Sequence, residues 1–205
     1  MKIGISINEV LRDFIGQLVY TYDKYIGETN LTEDDVTNFN LIEHFKFDDI
    51  NKLNSFLYLE APLEIFGHAD LMSDGLMNHF NNFIMDINDD EEHHVELVSR
   101  EIDKSIPSTY FFLSKTSCRI GNIRFVKQNS EEWGDCDVLI TANPIALENK
   151  PSGKISVKVK ASYNKELGSY FYGSYIQRAG YPKIDLNKYD IRPDAALELD
   201  KLVQI

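Results

Sequence analysis

The side chains of this chain that could do chemistry stand at the ends of short apolar runs. Ser6 and Asn8 close the run at residues 2–7, Ser99 follows residues 95–98, and Thr141-Ala142 follow residues 136–140. A serine becomes a nucleophile only beside a base or with a lowered pKa, and no histidine lies near Ser6 in the sequence. Asn8 carries an amide, which exchanges no proton at neutral pH. Glu9 and Asp13 are the carboxylates of this stretch. A second polar grouping, residues 86–92 followed by His93-His94, mixes carboxylates with imidazoles, a metal-ligand composition. Neighbouring histidines on a strand point to opposite faces and cannot share one ion, so a solvated loop is expected there. Neither a metal nor a cofactor is expected for the chain.

These positions need elements to hold them. Ile3, Ile5 and Ile7 alternate with small residues as a short buried strand does. The chain is then expected to turn at Asn8 directly into a helix, because Val10, Leu11, Phe14, Ile15, Leu18, Val19 and Tyr22 keep a 3–4 spacing. Residues 75–87 read as a second amphipathic helix, and Pro107 suits the first turn of a third that runs to Lys115. Further strands are expected at residues 95–98, 123–126, 136–140 and 155–159. Alternating strands and helices predict an α/β fold with a mainly parallel, Rossmann-like sheet. Residues 2–7 are its central strand, and a ligand would sit at the carboxyl end of that strand, near Ser6 to Glu9. Between the first two helices, residues 27–72 form an irregular, aromatic-rich insertion with a helix expected at residues 48–57.

The row Ser6-Ile7-Asn8-Glu9-Val10-Leu11-Arg12-Asp13-Phe14 resembles the first motif of the haloacid dehalogenase-like phosphohydrolases, closest to their 5'-nucleotidase branch, which reads roughly D-x-D-G-V-L-R/A-D-F. Asp137, Leu139, Ile140 and Pro144 keep the frame of a later motif, D-x-L-I-D-D-x-P. The resemblance covers roughly residues 2–162. It implies a Rossmann-like core, with residues 27–72 as a small helical cap-like insertion. It also implies that Ser6 stands where the family's nucleophilic Asp stands, and Asn8 where its acid-base Asp stands. Thr141 and Ala142 replace the pair that holds Mg²⁺, and a methyl group cannot ligate a hard cation. Ser99 matches in type the hydroxyl that holds a phosphoryl oxygen, a remnant phosphate-binding position. Neither Lys104 nor Lys115 aligns convincingly with the family's lysine motif. Losing the general acid alone removes roughly 10²- to 10⁴-fold in rate, and here nucleophile and metal ligands go with it. A pseudoenzyme is expected, with no catalytic residue among the four degenerate positions. The alternatives are a nucleotide-binding sensor and a Mg-dependent 5'-nucleotidase-like phosphohydrolase with altered chemistry.

A net charge of −12 disfavours nucleic acid, whose phosphates call for clustered Lys and Arg. No apolar run reaches the roughly 20 residues of a membrane span, and no signal-peptide pattern opens the chain. Cys118 and Cys136 form no CxxC, which fits a reduced, intracellular setting. Residues 163–205 change character: tyrosines stand among glycines without helical periodicity until a terminal helix expected from Arg192 to Val203. This segment reads as an extended arm for other protein chains, with Tyr170, Phe171, Tyr172, Tyr175 and Tyr181 as contact residues; the alternative is an arm folded back over its own domain. A homo-oligomer or larger assembly follows from the first reading. The Asn-, Asp-, Ile- and Tyr-rich composition resembles that of nucleotidase-like proteins of tailed bacteriophages, a resemblance that implies a phage origin; the expected location is then a host cytoplasm or a virion.

Overall fold

The structure, a computed structural model, describes residues 1–27, 30–88, 93–165, 167 and 189–191. Six strands form one sheet: β1 (Lys2–Ser6), β2 (His94–Ser99), β3 (Ile123–Phe125), β4 (Val138–Thr141), β5 (Ile155–Val159) and β6 (Tyr189–Ile191). Their order is β3-β2-β1-β4-β5-β6. The first five are parallel, with Ile5 opposite Leu97 on one side and Ile140 on the other, and β6 runs antiparallel to β5. The central place expected for residues 2–7 is the one observed, and the fold is Rossmann-like α/β.

Alternation along the strands divides the core. Ile3, Ile5, Leu97, Val138 and Val157 meet Phe80 of α3 (Leu76–Asn88) and Phe112 of α4 (Ser105–Lys115) in one apolar cluster. Val98 and Leu139 face the other way, onto Val126, Trp133 and Ala146. Alternation with Ile3 and Ile5 puts Gly4 on that second face, where a Cβ would stand 2.7 Å from Cys136 Sγ.

The first helix departs from its expected start. α1 covers Phe14–Tyr25, capped by Asp13, whose carboxylate accepts from the Gly16 amide at 2.9 Å. Before it, the amides of Leu11 and Arg12 both donate to the Ile7 carbonyl, at 2.9 and 3.0 Å, closing one wide turn. Glu9 sits in this turn with a φ of 59°, a left-handed conformation that a non-glycine residue seldom adopts. Val10 and Leu11 keep the helical spacing but pack into the sheet's core, whereas Phe14, Ile15, Leu18 and Tyr22 face the insertion. A wide turn preserves the 3–4 rhythm, which is why spacing alone did not separate it from the helix.

The insertion builds its own apolar centre from Phe45, Leu53, Phe56, Ile65 and Phe66 against α1. Each such buried side chain contributes about 1.5–3 kcal/mol relative to exposure. The helix expected at residues 48–57 is shorter: α2 spans Ile50–Ser55, capped by Asp49, and gives way to wide turns closed by Ala61 N–H to Phe56 O at 3.0 Å and His68 N–H to Leu63 O at 2.9 Å. α5 (Pro144–Glu148) follows β4, with Asn143 as its cap.

Candidate functional site

Parallel strands bring the ends of β1 and β4 together, and their terminal hydroxyls meet a carboxylate from elsewhere in the chain. Ser6 Oγ lies 2.9 Å from Thr141 Oγ1 and 3.1 Å from Glu132 Oε2. Thr141 Oγ1 reaches the same Glu132 oxygen at 3.1 Å. The other oxygen, Oε1, accepts from Asn143 Nδ2 at 2.7 Å and pairs with Arg100 Nε at 3.1 Å. Thr141 Oγ1 also accepts from the Asn143 amide at 3.0 Å. Ser6 has a single hydroxyl proton for Glu132 or Thr141, so this is one connected network and not a set of independent pairs. Glu132, Thr141 and Ser6 are all buried.

Glu132 is put there by its loop. Arg124 donates to the carbonyls of Glu131 and Glu132, each at 2.8 Å, while its Nε holds Glu96 at 2.8 Å. Trp133 Nε1 donates to Ala146 O at 2.8 Å, and Cys136 Sγ lies 3.3 Å from Glu96 Oε1. Burial, with Glu96 alongside, pushes the Cys136 thiol up to about 11. Among the described residues, two groups of side chains bring ligand-type atoms within 4.8 Å of one another: Glu96 with Asp135 and Cys136, and Glu9 with Asp13 and Glu33. In the first, Lys2 at 3.1 Å and Arg124 at 2.8 Å already neutralise Glu96, and a thiol with so high a pKa is a poor ligand.

The insertion reaches the neighbourhood of the strand ends through Phe39 and Val36. Phe39 lies under the Arg100 guanidinium, whose carbon is 4.8 Å from the ring centre, and stacks at a tilt on Tyr163, 5.2 Å between centres. Ser162 Oγ donates to the Val36 carbonyl of the insertion at 2.7 Å. Desolvation, and then the nearby Glu9, hold the Tyr163 phenol well above its usual pKa. Cation–π contact and ring stacking of this kind stabilise by roughly 0.5–1.5 kcal/mol each. The insertion is thus tied to Arg100, next to the end of β2, and to residues 162–163 after β5.

Beside this network, Arg12 is wholly buried and joins four parts of the chain. It pairs with Glu101, and its Nε donates to Asn8 Oδ1 at 2.8 Å. Its Nη1 donates to Phe66 O of the insertion at 3.0 Å and Thr109 Oγ1 of α4 at 2.9 Å. Its guanidinium carbon stands 5.0 Å from the Phe66 ring centre and 5.3 Å from that of Phe112. Glu9 Oε1 accepts from the amides of Phe14 and Ile15 at 3.0 and 2.8 Å. Desolvation raises the Glu9 carboxyl to about 8, even though the Ile15 amide acts the other way.

Of the positions singled out from the sequence, Ser6 and Thr141 come together at the ends of neighbouring strands. Asn8 does not join them: its amide Nδ2 donates to Glu101 at 3.1 Å and its oxygen serves Arg12. The Ala142 side chain is packed in the apolar core, while its carbonyl accepts from Asn164 Nδ2 at 2.8 Å. Ser99 Oγ and Glu101 Oε2 are buried without a hydrogen-bond partner among the described residues. Lys115 is spent on the carbonyls of His68 and Ala69, at 3.0 and 2.8 Å. Tyr170, Phe171, Tyr172, Tyr175 and Tyr181, and the terminal helix expected after Arg192, lie outside the described residues. Glu132, Arg100 and Asn143 escaped the sequence reading. The one local signal was the Asn143-Pro144 pair, an N-cap followed by proline at the first helical position.

No family model matches the chain, and no curated protein matches it. No helix among the described residues is long and apolar enough to cross a membrane.

Proposed function

We propose that this chain is a non-catalytic scaffold, a degenerate relative of the haloacid dehalogenase-like phosphohydrolases with a structural or protein-interaction role. The observation that carries this reading is the Glu132 network. A phosphohydrolase needs its strand ends open to substrate and a free nucleophile. Here Ser6 is buried against Glu132 and Thr141, and Arg100, the cation on Glu132, is tied to the insertion through Phe39. Glu132 lies within 3.1 Å of the Ser6 hydroxyl and is a base by type, but Arg100 and Asn143 occupy its other oxygen. Partner chains are then the natural users of the fold, through the tyrosine-rich segment after residue 163, in an assembly such as a phage virion. A nucleotide-binding sensor is the second reading. Ser99 favours it, because a buried hydroxyl without a partner calls for a ligand or an ordered water. A thermal-shift series with nucleoside monophosphates, inorganic phosphate and Mg²⁺ separates the two. The scaffold reading expects no saturable rise in Tm. A saturable rise with a nucleotide, lost in Ser99→Ala, overturns it in favour of the sensor.

A further inference from the structure

The donors around Glu132 are arranged for a carboxylate. Among the described residues, Ser6 and Thr141 address one oxygen, at 3.1 Å each, and Asn143 and Arg100 the other, at 2.7 and 3.1 Å. With the Ser6 proton turned to Glu132 and not to Thr141, two donors meet each of the two oxygens and match the lone pairs of a planar carboxylate, whereas a tetrahedral phosphate would bring further oxygens that this set does not serve. The frame holding these donors does not depend on the carboxylate itself. Ser6 and Thr141 are fixed by strand pairing, Asn143 by capping the Ile145 amide at 3.0 Å, and Arg100 by its seat on Phe39. The backbone of residues 131 and 132 is held by Arg124 and that of the next residue by the Trp133 anchor. Cutting the side chain back at residue 132 thus vacates the space without releasing the loop.

We propose that the strand ends form a carboxylate-binding site whose ligand is the chain's own Glu132, and that a free small carboxylate takes its place when that side chain is removed. Glu132→Ala deletes an acetate-sized group, the Cγ and the carboxylate, and leaves the Arg100 charge without it. Arg100 is half-buried, but Ser6, Thr141 and Asn143 lose their buried acceptor with it, and for a chain of this length Tm should fall by on the order of 10 °C. The proposal rests on the reading that the site is filled from within, but its test involves no turnover. A failed rescue and an unexpected phosphatase activity are therefore separate results.

The experiment measures Tm of wild type, Glu132→Ala and Arg100→Met/Glu132→Ala in sodium acetate, formate, phosphate and chloride at matched ionic strength. In acetate and formate, Glu132→Ala should recover at least half of its loss with a saturable concentration dependence. The wild type should show no such rise, and the double variant should lose the rescue. Phosphate should behave as chloride. Equal Tm in acetate and chloride overturns the proposal, as does equal rescue by phosphate. If Glu132→Ala does not fold on expression, refolding yield replaces Tm as the readout, and a chain that stays unfolded in acetate as in chloride also overturns it.

Discussion

Glu9 makes stability depend on pH in a direction opposite to that of most carboxylates. Its folded pKa is about 8 against an ordinary 4.5, because burial penalises the charge more than the amides of Ile15 and Phe14 favour it. The folded state thus binds a proton that the unfolded state has released, and stability falls as pH rises through the window from 4.5 to 8. Below that window the carboxyl is neutral in both states and contributes nothing; above it the loss is complete. The interval of about 3.5, at 1.36 kcal/mol for each pKa unit, gives about 5 kcal/mol at the upper limit. The same two pKa values give about 1 kcal/mol of loss at pH 5 and about 3 kcal/mol at pH 7. Glu9→Gln keeps an oxygen for the two amides and never ionises. Urea unfolding of both proteins at pH 5, 7 and 9 should show the variant gaining on the wild type by these amounts, with equal m-values. Parallel curves would refute the reasoning, and would mean that Glu9 is solvated or paired as an anion.

Arg12→Met should destabilise by about 3–5 kcal/mol in urea, since Glu101 is left buried without its cation. Combining it with Glu101→Gln should recover part of that loss, and a purely additive double variant would contradict the pairing. Restoring the resembled family's carboxylates by Ser6→Asp, Asn8→Asp, Thr141→Asp and Ala142→Asp should not create a Mg²⁺ site. Ala142 faces the apolar core and Asn8 faces Glu101, so the prediction is loss of the folded CD signal; a folded variant that binds Mg²⁺ by calorimetry would contradict it.

The sheet was legible because each strand carries its own record. Ile3 and Ile5 alternate, and the strand–helix order leaves little choice of topology once residues 2–7 are central. The start of α1 was not legible, since Val10 and Leu11 satisfy a wide turn and a helix equally well. At the site, Ser6 and Thr141 could each be read as residues at the ends of strands. Glu132 could not be found that way: it is 126 positions from Ser6, on a loop whose place is set by Arg124 and Trp133. Asn8 likewise looked like a site residue because its role depends on Arg12, which turns back into the core instead of continuing along a helix face. Local pattern reports which face a residue takes; it does not report which distant carboxylate arrives.

The proposal that the strand ends perform no phosphoryl transfer is tested most directly by continuous phosphate release from nucleoside monophosphates with Mg²⁺. Wild type and Ser6→Ala are measured side by side at equal concentration. The account predicts that both stay at the buffer rate. Steady release by the wild type, abolished in Ser6→Ala, would contradict it.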